Sequence, residues 1–145
     1  EGMVFDEGPV SIKIAPGTGR WQYVYESAEL WPFDRVVEVD LRASDYRQSV
    51  ARARTFLREK DLASLDGRGL ARGIDRSSAL IIGPEGCLTA ARLEDELVTH
   101  KILDLIGDLY LTGIPAVFLD VKARRSGHRA NVAAAWEFAR MHQVH

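Results

Sequence analysis

The chain has 145 residues, 46% of them apolar and 28% charged, with a formal net charge of −2. That length suits one compact domain with a real core and is too short for two, and the near-neutral balance gives no footprint of general nucleic-acid binding. A single cysteine, Cys87, excludes an internal disulfide and fits a reducing compartment. No apolar run approaches the roughly 20 residues that span a bilayer, so a cytoplasmic location is expected. Met3 fits a natural start and equally the interior of a longer chain.

The first third reads as β. "VSIKI" (10–14) and "WQYVY" (21–25) are short β-rich runs. "APGTGR" between them predicts a hairpin turn through Pro16, Gly17 and Gly19. "RVVEVDL" (35–41) alternates and is rich in valine, which predicts a third strand. Ser44 or Asp45 then offers an N-cap for a helix to about Arg52. Residues 54–76 change character: charged, with three glycines and apolar positions at Leu57, Leu62, Leu65 and Leu70, they predict a short helix followed by loop or strand. "ALII" (79–82) predicts a buried strand ended by "GPEG", and a long helix is expected from about Ala91 to Leu111. "AVFLDV" (116–121) predicts another strand and "GHRANVAAAWEFARMH" (127–142) an amphipathic helix. The sum is an α+β domain, a mixed β-sheet packed against two main helices.

The long helix carries an unusual face. His100, Asp104 and Asp108 follow one another at intervals of four, within an arc of about 80°. Val98, Ile102, Leu105, Ile106 and Leu109 cluster opposite and mark the core side. One reading is a half-exposed polar face with no further role. The other is a metal site, because an imidazole and a carboxylate one turn apart converge on one ion and zinc accepts N and O ligands. Two ligands fall short of the three that a catalytic zinc takes alongside water. Gly107, beside His100, would let another group approach closely. Glu96 shares this face one turn earlier, where capping or a salt bridge is the simpler role; Glu94 and Asp95 lie off it.

A second constellation is "KARRSGHRAN" (122–131), in which Lys122, Arg124, Arg125 and Arg129 surround His128 at a strand-to-helix junction. It reads either as a solvated basic loop or as a protonated histidine acting as general acid, with basic neighbours holding a phosphate. His142 and His145 read as a frayed tail.

Together these stretches resemble the C-terminal domain of UDP-3-O-acyl-N-acetylglucosamine deacetylase, the zinc amidohydrolase of lipid A biosynthesis. The likeness is carried by "RARTF" (52–56), "RGLARG" (68–73), "LEDELVTHKILDLIGDLYLTG" (93–113) and "SGHRAN" (126–131), in the family's order, and covers most of residues 9–140. It implies one domain over residues 1–145, with 54–76 an inserted subdomain forming an apolar tunnel for an acyl chain. It implies that His100 and Asp104 bind zinc and that Asp108 orients and charge-stabilises His128. His128, as imidazolium, would stabilise the oxyanion or protonate the leaving amine. By the same resemblance Thr55 hydrogen-bonds the tetrahedral oxyanion, Lys101 contacts the polar head of an acylated UDP-amino sugar, and Phe56 packs at the sugar or acyl entrance.

The resemblance also implies a third zinc histidine and a glutamate base in an N-terminal domain outside this sequence, whose four histidines are 100, 128, 142 and 145. Leu57 and Arg58 stand where the family has a glycine and an aromatic residue. Three readings follow: a catalytic half completed by a separate domain, a stand-alone derivative that binds a metal or sugar nucleotide without hydrolysis, and a scaffold kept for interaction. The intact His100, Asp104, Asp108, Lys101 and His128 speak against the third.

Overall fold

The computed structural model describes residues 1–69 and 77–143. In chain order its elements are β1 (Met3–Glu7), β2 (Val10–Pro16), β3 (Arg20–Tyr25), β4 (Arg35–Asp40), α1 (Tyr46–Ser49), β5 (Phe56–Arg58), α2 (Glu59–Gly67), β6 (Leu80–Ile82), α3 (Glu96–Leu109), β7 (Leu119–Arg124) and α4 (His128–His142). Short 3-10 turns at Tyr110–Thr112 and Ala116–Phe118 join α3 to β7. The architecture is α+β, as expected, with one mixed five-stranded sheet in the order β1-β2-β7-β3-β4.

Period-two alternation determines which side of the sheet is covered. Met3, Ile14, Val121, Trp21 and Val39 are successive register partners in one row across all five strands. Phe5, Ile12, Ala123, Tyr23 and Val37 form the next inward row. These rows meet Leu97, Val98, Ile102, Leu105 and Leu109 of α3 and Ala134, Ala135 and Phe138 of α4 in a single core. Helix α3 lies over β3 and β4, helix α4 over β1 and β2, and the two helices touch each other. The row between, Val4, Lys13, Lys122, Gln22 and Glu38, faces away from the helices.

The expected hairpin between β2 and β3 does not form. Strand β7 lies between them, antiparallel to β2 and parallel to β3. "APGTGR" is instead a crossing loop over the start of β7. Gly17 N–H donates to Phe118 O at 2.8 Å, and the Asp120 carboxylate accepts from the amides of Thr18, Gly19 and Arg20 at 2.8–3.1 Å. The true hairpin is β1–β2, where Glu7 pairs Val10 and Gly8 turns at φ 59. β1 has no counterpart among the predicted strands.

Helix α3 starts at Glu96 rather than Ala91, because Asp95 adopts a left-handed φ of 50 that cannot continue a helix. It ends at Leu109, and Leu111 belongs to the following 3-10 turn. α1 begins after the Asp45 N-cap, whose side chain accepts from Arg47 N, and stops at Ser49. β5 and α2 fall within 54–76, and β5 pairs in parallel with β6, Phe56 opposite Leu80. Leu70, the latter part of "RGLARG", the end of the expected insertion and His145 lie outside the described residues.

Candidate active site

His100, Asp104 and Asp108 occupy successive turns of α3, and His128 is the first residue of α4. The helix packing that buries Ile102, Leu105, Ala134 and Phe138 therefore also sets the spacing between the two polar rows. His100 Nε2 lies 3.3 Å from Asp104 Oδ1, His128 Nε2 lies 3.9 Å from Asp104 Oδ2, and His128 Nδ1 lies 2.7 Å from Asp108 Oδ2. The side chains of His100, Asp104 and Asp108 are 16%, 24% and 18% exposed, whereas His128 is 70% exposed and forms the open lip of the site.

The surroundings fix the state of each ring. His100 Nδ1 lies 2.9 Å from Ala53 O. A carbonyl only accepts, so Nδ1 carries a proton, and in the neutral ring Nε2 then presents a bare lone pair. That lone pair faces a carboxylate oxygen, an arrangement of two acceptors that needs a proton or cation between them. Two ligands each about 2.0–2.2 Å from a tetrahedral zinc stand about 3.4 Å apart, close to the 3.3 Å found here. The donor set therefore fits zinc. Among the described residues no group of three or more His, Cys, Asp or Glu is placed to hold a metal.

His128 is in a different condition. Its hydrogen bond to Asp108, then the charge of that carboxylate and of Asp104, raise its pKa above 6.5, against a smaller opposing effect of burial and of Lys101. Asp108 Oδ2 also accepts from Asn131 Nδ2 at 3.0 Å, and Asn131 is buried. The loop leading into His128 is held by Tyr23, whose hydroxyl donates to Ser126 O at 2.6 Å. Burial pushes the Tyr23 phenol up to about 12, so this donor stays protonated. Tyr23, Asn131 and Ala53 carry no role in the sequence reading. Asn131 lies inside the "SGHRAN" stretch, one turn after His128; Ala53 acts through its carbonyl, and the Tyr23 hydroxyl meets a backbone carbonyl 103 residues away, so neither contact leaves a sequence signal.

Lys101 and Phe56 also come together, the ammonium 5.8 Å from the ring centroid. Thr55 is exposed and its hydroxyl makes no hydrogen bond among the described residues; its carbonyl accepts from Leu80 N. Arg54, between Ala53 and Thr55, forms a buried ion pair with Glu96 at 2.8 Å, the salt bridge expected of that carboxylate.

A Cβ built at Gly107 meets no atom within 4 Å among the described residues, so none of them uses the room it leaves. Two expectations are corrected. Lys122, Arg124 and Arg129 do not gather around His128. Lys122 lies on the open sheet face, Arg124 is paired with Glu26, and Arg129 reaches Glu7 at 3.5 Å. His142 is not frayed; it closes α4, with Nδ1 3.0 Å from Phe138 O and its ring 4.1 Å from that of Phe138.

A family model described as UDP-3-O-acyl N-acetylglycosamine deacetylase matches residues 3–140. The chain is 38% identical over 112 residues to the UDP-3-O-acyl-N-acetylglucosamine deacetylase of Cellvibrio japonicus, covering 70% of this chain and 37% of that protein. It is 40% identical over 111 residues to the protein of the same name from Pasteurella multocida, covering 69% and 36% respectively. The corresponding protein of Chromobacterium violaceum is 37% identical over 116 residues, or 72% and 38%. The chain thus spans slightly more than a third of the length of these curated relatives. With nearly its whole length matched by the family model, the chain belongs to the UDP-3-O-acyl N-acetylglycosamine deacetylase family.

Proposed function

We propose that this chain supplies part of the active site of a zinc-dependent deacetylase that hydrolyses the acetamide of an acylated UDP-amino sugar in lipid A biosynthesis, in the cytoplasm. The observation that carries the proposal is the single row His100, Asp104 and Asp108, with His128 bridging the last two. His100 and Asp104 hold the metal. Bound zinc would polarise the amide carbonyl and acidify a water molecule. His128, kept cationic by Asp108, gives the Nε2 proton to the departing amine as the C–N bond breaks, leaving acetate and a free amino sugar. The Thr55 hydroxyl donates to the oxyanion. Lys101 contacts the polar head of the substrate, and Phe56 packs at the sugar or acyl entrance.

The third metal ligand and the general base come from a separate N-terminal domain, as in the family, and residues 54–76 contribute the acyl tunnel as an inserted subdomain. Arg58 favours a restricted acyl group. Arg58 lines a cavity of about 140 Å³ with Leu30, Lys60 and Ile82, and its guanidinium lies 3.4 Å from the Tyr25 hydroxyl. No helix among the described residues is long and apolar enough to cross a membrane. The alternative reading, a stand-alone non-catalytic protein that binds a metal or sugar nucleotide, is favoured by the same two-ligand set.

The deciding experiment measures acetate release by the purified chain, alone and mixed with a domain carrying a Glu-His pair. We expect no turnover alone and activity in the mixture. Robust turnover by this chain alone, abolished by His100→Ala, would overturn the two-domain reading and reveal a third ligand within these residues. No turnover in the mixture, with zinc still bound, would favour the binding protein.

A further inference from the structure

Arg54 and Glu96 are 42 residues apart in sequence and buried together, 9% and 2% exposed. Glu96 Oε2 accepts from Arg54 Nε at 2.8 Å and from the Arg54 backbone amide at 3.0 Å, and Oε1 accepts from Arg54 Nη2 at 3.2 Å. Oε1 also accepts from the Arg92 amide at 2.6 Å, and Arg54 Nη2 donates to Ala90 O at 2.8 Å. A buried ion pair is weak evidence for stability, since apolar residues of similar volume often serve as well or better. What this pair fixes is position. Through its backbone amide, residue 54 is pinned to the first turn of α3, so the carbonyl just before it is placed as well.

That carbonyl belongs to Ala53, and it is the group 2.9 Å from His100 Nδ1. Glu96 stands one helical turn before His100 on the same ridge. The clamp and the histidine are therefore held at both ends: by one turn of α3, and by the peptide between residues 53 and 54. We propose that Arg54 and Glu96 are positioning residues that set the tautomer and heading of His100. They keep Nε2 a bare acceptor facing Asp104, and so govern how tightly that pair takes a divalent cation. The inference rests on the reading of His100 and Asp104 as metal ligands. It adds to that reading residues that touch neither metal nor substrate. Such outer groups elsewhere change metal affinity by about 10- to 100-fold.

The test uses long-range 1H–15N NMR of the histidine side chains in the metal-free full chain at about pH 8, above the usual imidazole pKa. In the wild type, His100 is expected as one tautomer with its proton on Nδ1. Arg54→Lys keeps the positive charge but loses the fork that grips both oxygens of Glu96. It should give a mixture of tautomers and weaken binding of zinc alone by about 10- to 100-fold, read by competition with a chromophoric chelator. A folded Arg54→Lys protein with an unchanged tautomer and unchanged zinc affinity would overturn the proposal, whatever its melting temperature. So would a wild-type His100 protonated on Nε2, which needs no variant. If Arg54→Lys fails to fold, the double variant Arg54→Met/Glu96→Met removes both buried charges and carries the same two readouts. If the wild-type chain alone takes up no zinc, as a two-ligand set allows, zinc affinity is read with a completing domain that carries a Glu-His pair, and the tautomer comparison by itself still supports or overturns the positioning role.

Discussion

Asp108 Oδ2 lies 2.7 Å from His128 Nδ1, and that bond determines which end of the imidazole is free. With Nδ1 committed, Nε2 is the remaining ring donor, and it is turned toward Asp104 at 3.9 Å. One carboxylate thus holds the ring while the next one up the helix faces its free edge.

The His128 ring should titrate above 6.5, chiefly because of its hydrogen bond to Asp108. NMR titration of the wild type and of Asp108→Asn checks this; the variant should fall back toward 6.5. A folded-state pKa that is raised makes the pair stabilising below the unfolded-state value, and that contribution fades as pH rises through the folded value. Because the side chain is 70% exposed, the titration is a sharper readout than stability. A wild-type value at or below 6.5 would remove the proton donor from the proposed chemistry.

Metal uptake and turnover should separate by residue. His100→Ala and Asp104→Ala should each abolish zinc uptake in equilibrium dialysis. His128→Ala should retain zinc yet lose about 10²–10⁴-fold in turnover once the active site is completed. Equal loss of zinc in all three variants would place His128 among the ligands instead.

Acid should weaken the fold through Glu96. Burial pushes its carboxyl upward, but the Arg54 side chain, the amides of Arg54 and Arg92, and the Arg54 charge together bring it below 4.5. Its stabilisation is therefore complete above the unfolded-state value and is lost as pH falls through the folded one. Urea titrations from neutral pH down to about pH 3 should steepen below about 4.5 in the wild type and flatten in Arg54→Met/Glu96→Met. Arg54→Met alone leaves a buried unpaired carboxylate and should cost about 3–5 kcal/mol at neutral pH.

Gly17 and Asp120 should behave as a coupled pair. A Cβ on Gly17 would sit 2.1 Å from the Asp120 carboxyl carbon, and that carboxylate is held by three amides and cannot move without releasing them. Asp120→Ala should cost about 1–3 kcal/mol, and Gly17→Ala a similar amount. In the Asp120→Ala background, Gly17→Ala should be nearly neutral; thermal melts of the full cycle give the coupling. Additive losses would mean that the loop is confined by something other than this carboxylate.

The parts of the molecule legible in the sequence are those written in local periodicity. The four-residue spacing of His100, Asp104 and Asp108 gives the polar ridge of α3 directly, and the valine-rich and alanine-rich runs give β4 and α4. Strand partners are different. "APGTGR" signals a bend between β2 and β3 but not that β7, about a hundred residues later in sequence, comes between them. Strand β1 escapes notice because Met3-Val4-Phe5-Asp6-Glu7, three apolar residues followed by two acidic ones before Gly8-Pro9, shows no alternation. The start of α3 depends on the left-handed Asp95, which no helical periodicity encodes. Arg54 is invisible for a similar reason: an arginine beside a threonine gives no sign that a glutamate 42 residues away will bury it.

The central position of β7 has a consequence for biosynthesis. Before the chain reaches residue 119, the ribosome has released two separate strand pairs, β1–β2 and β3–β4, each with one unsatisfied edge facing where β7 will insert. Vectorial synthesis therefore cannot finish the sheet progressively; it closes in one late step, when a six-residue strand arrives with α4 behind it. Until then the nascent chain carries two unpaired β-edges of the kind that template wrong pairings.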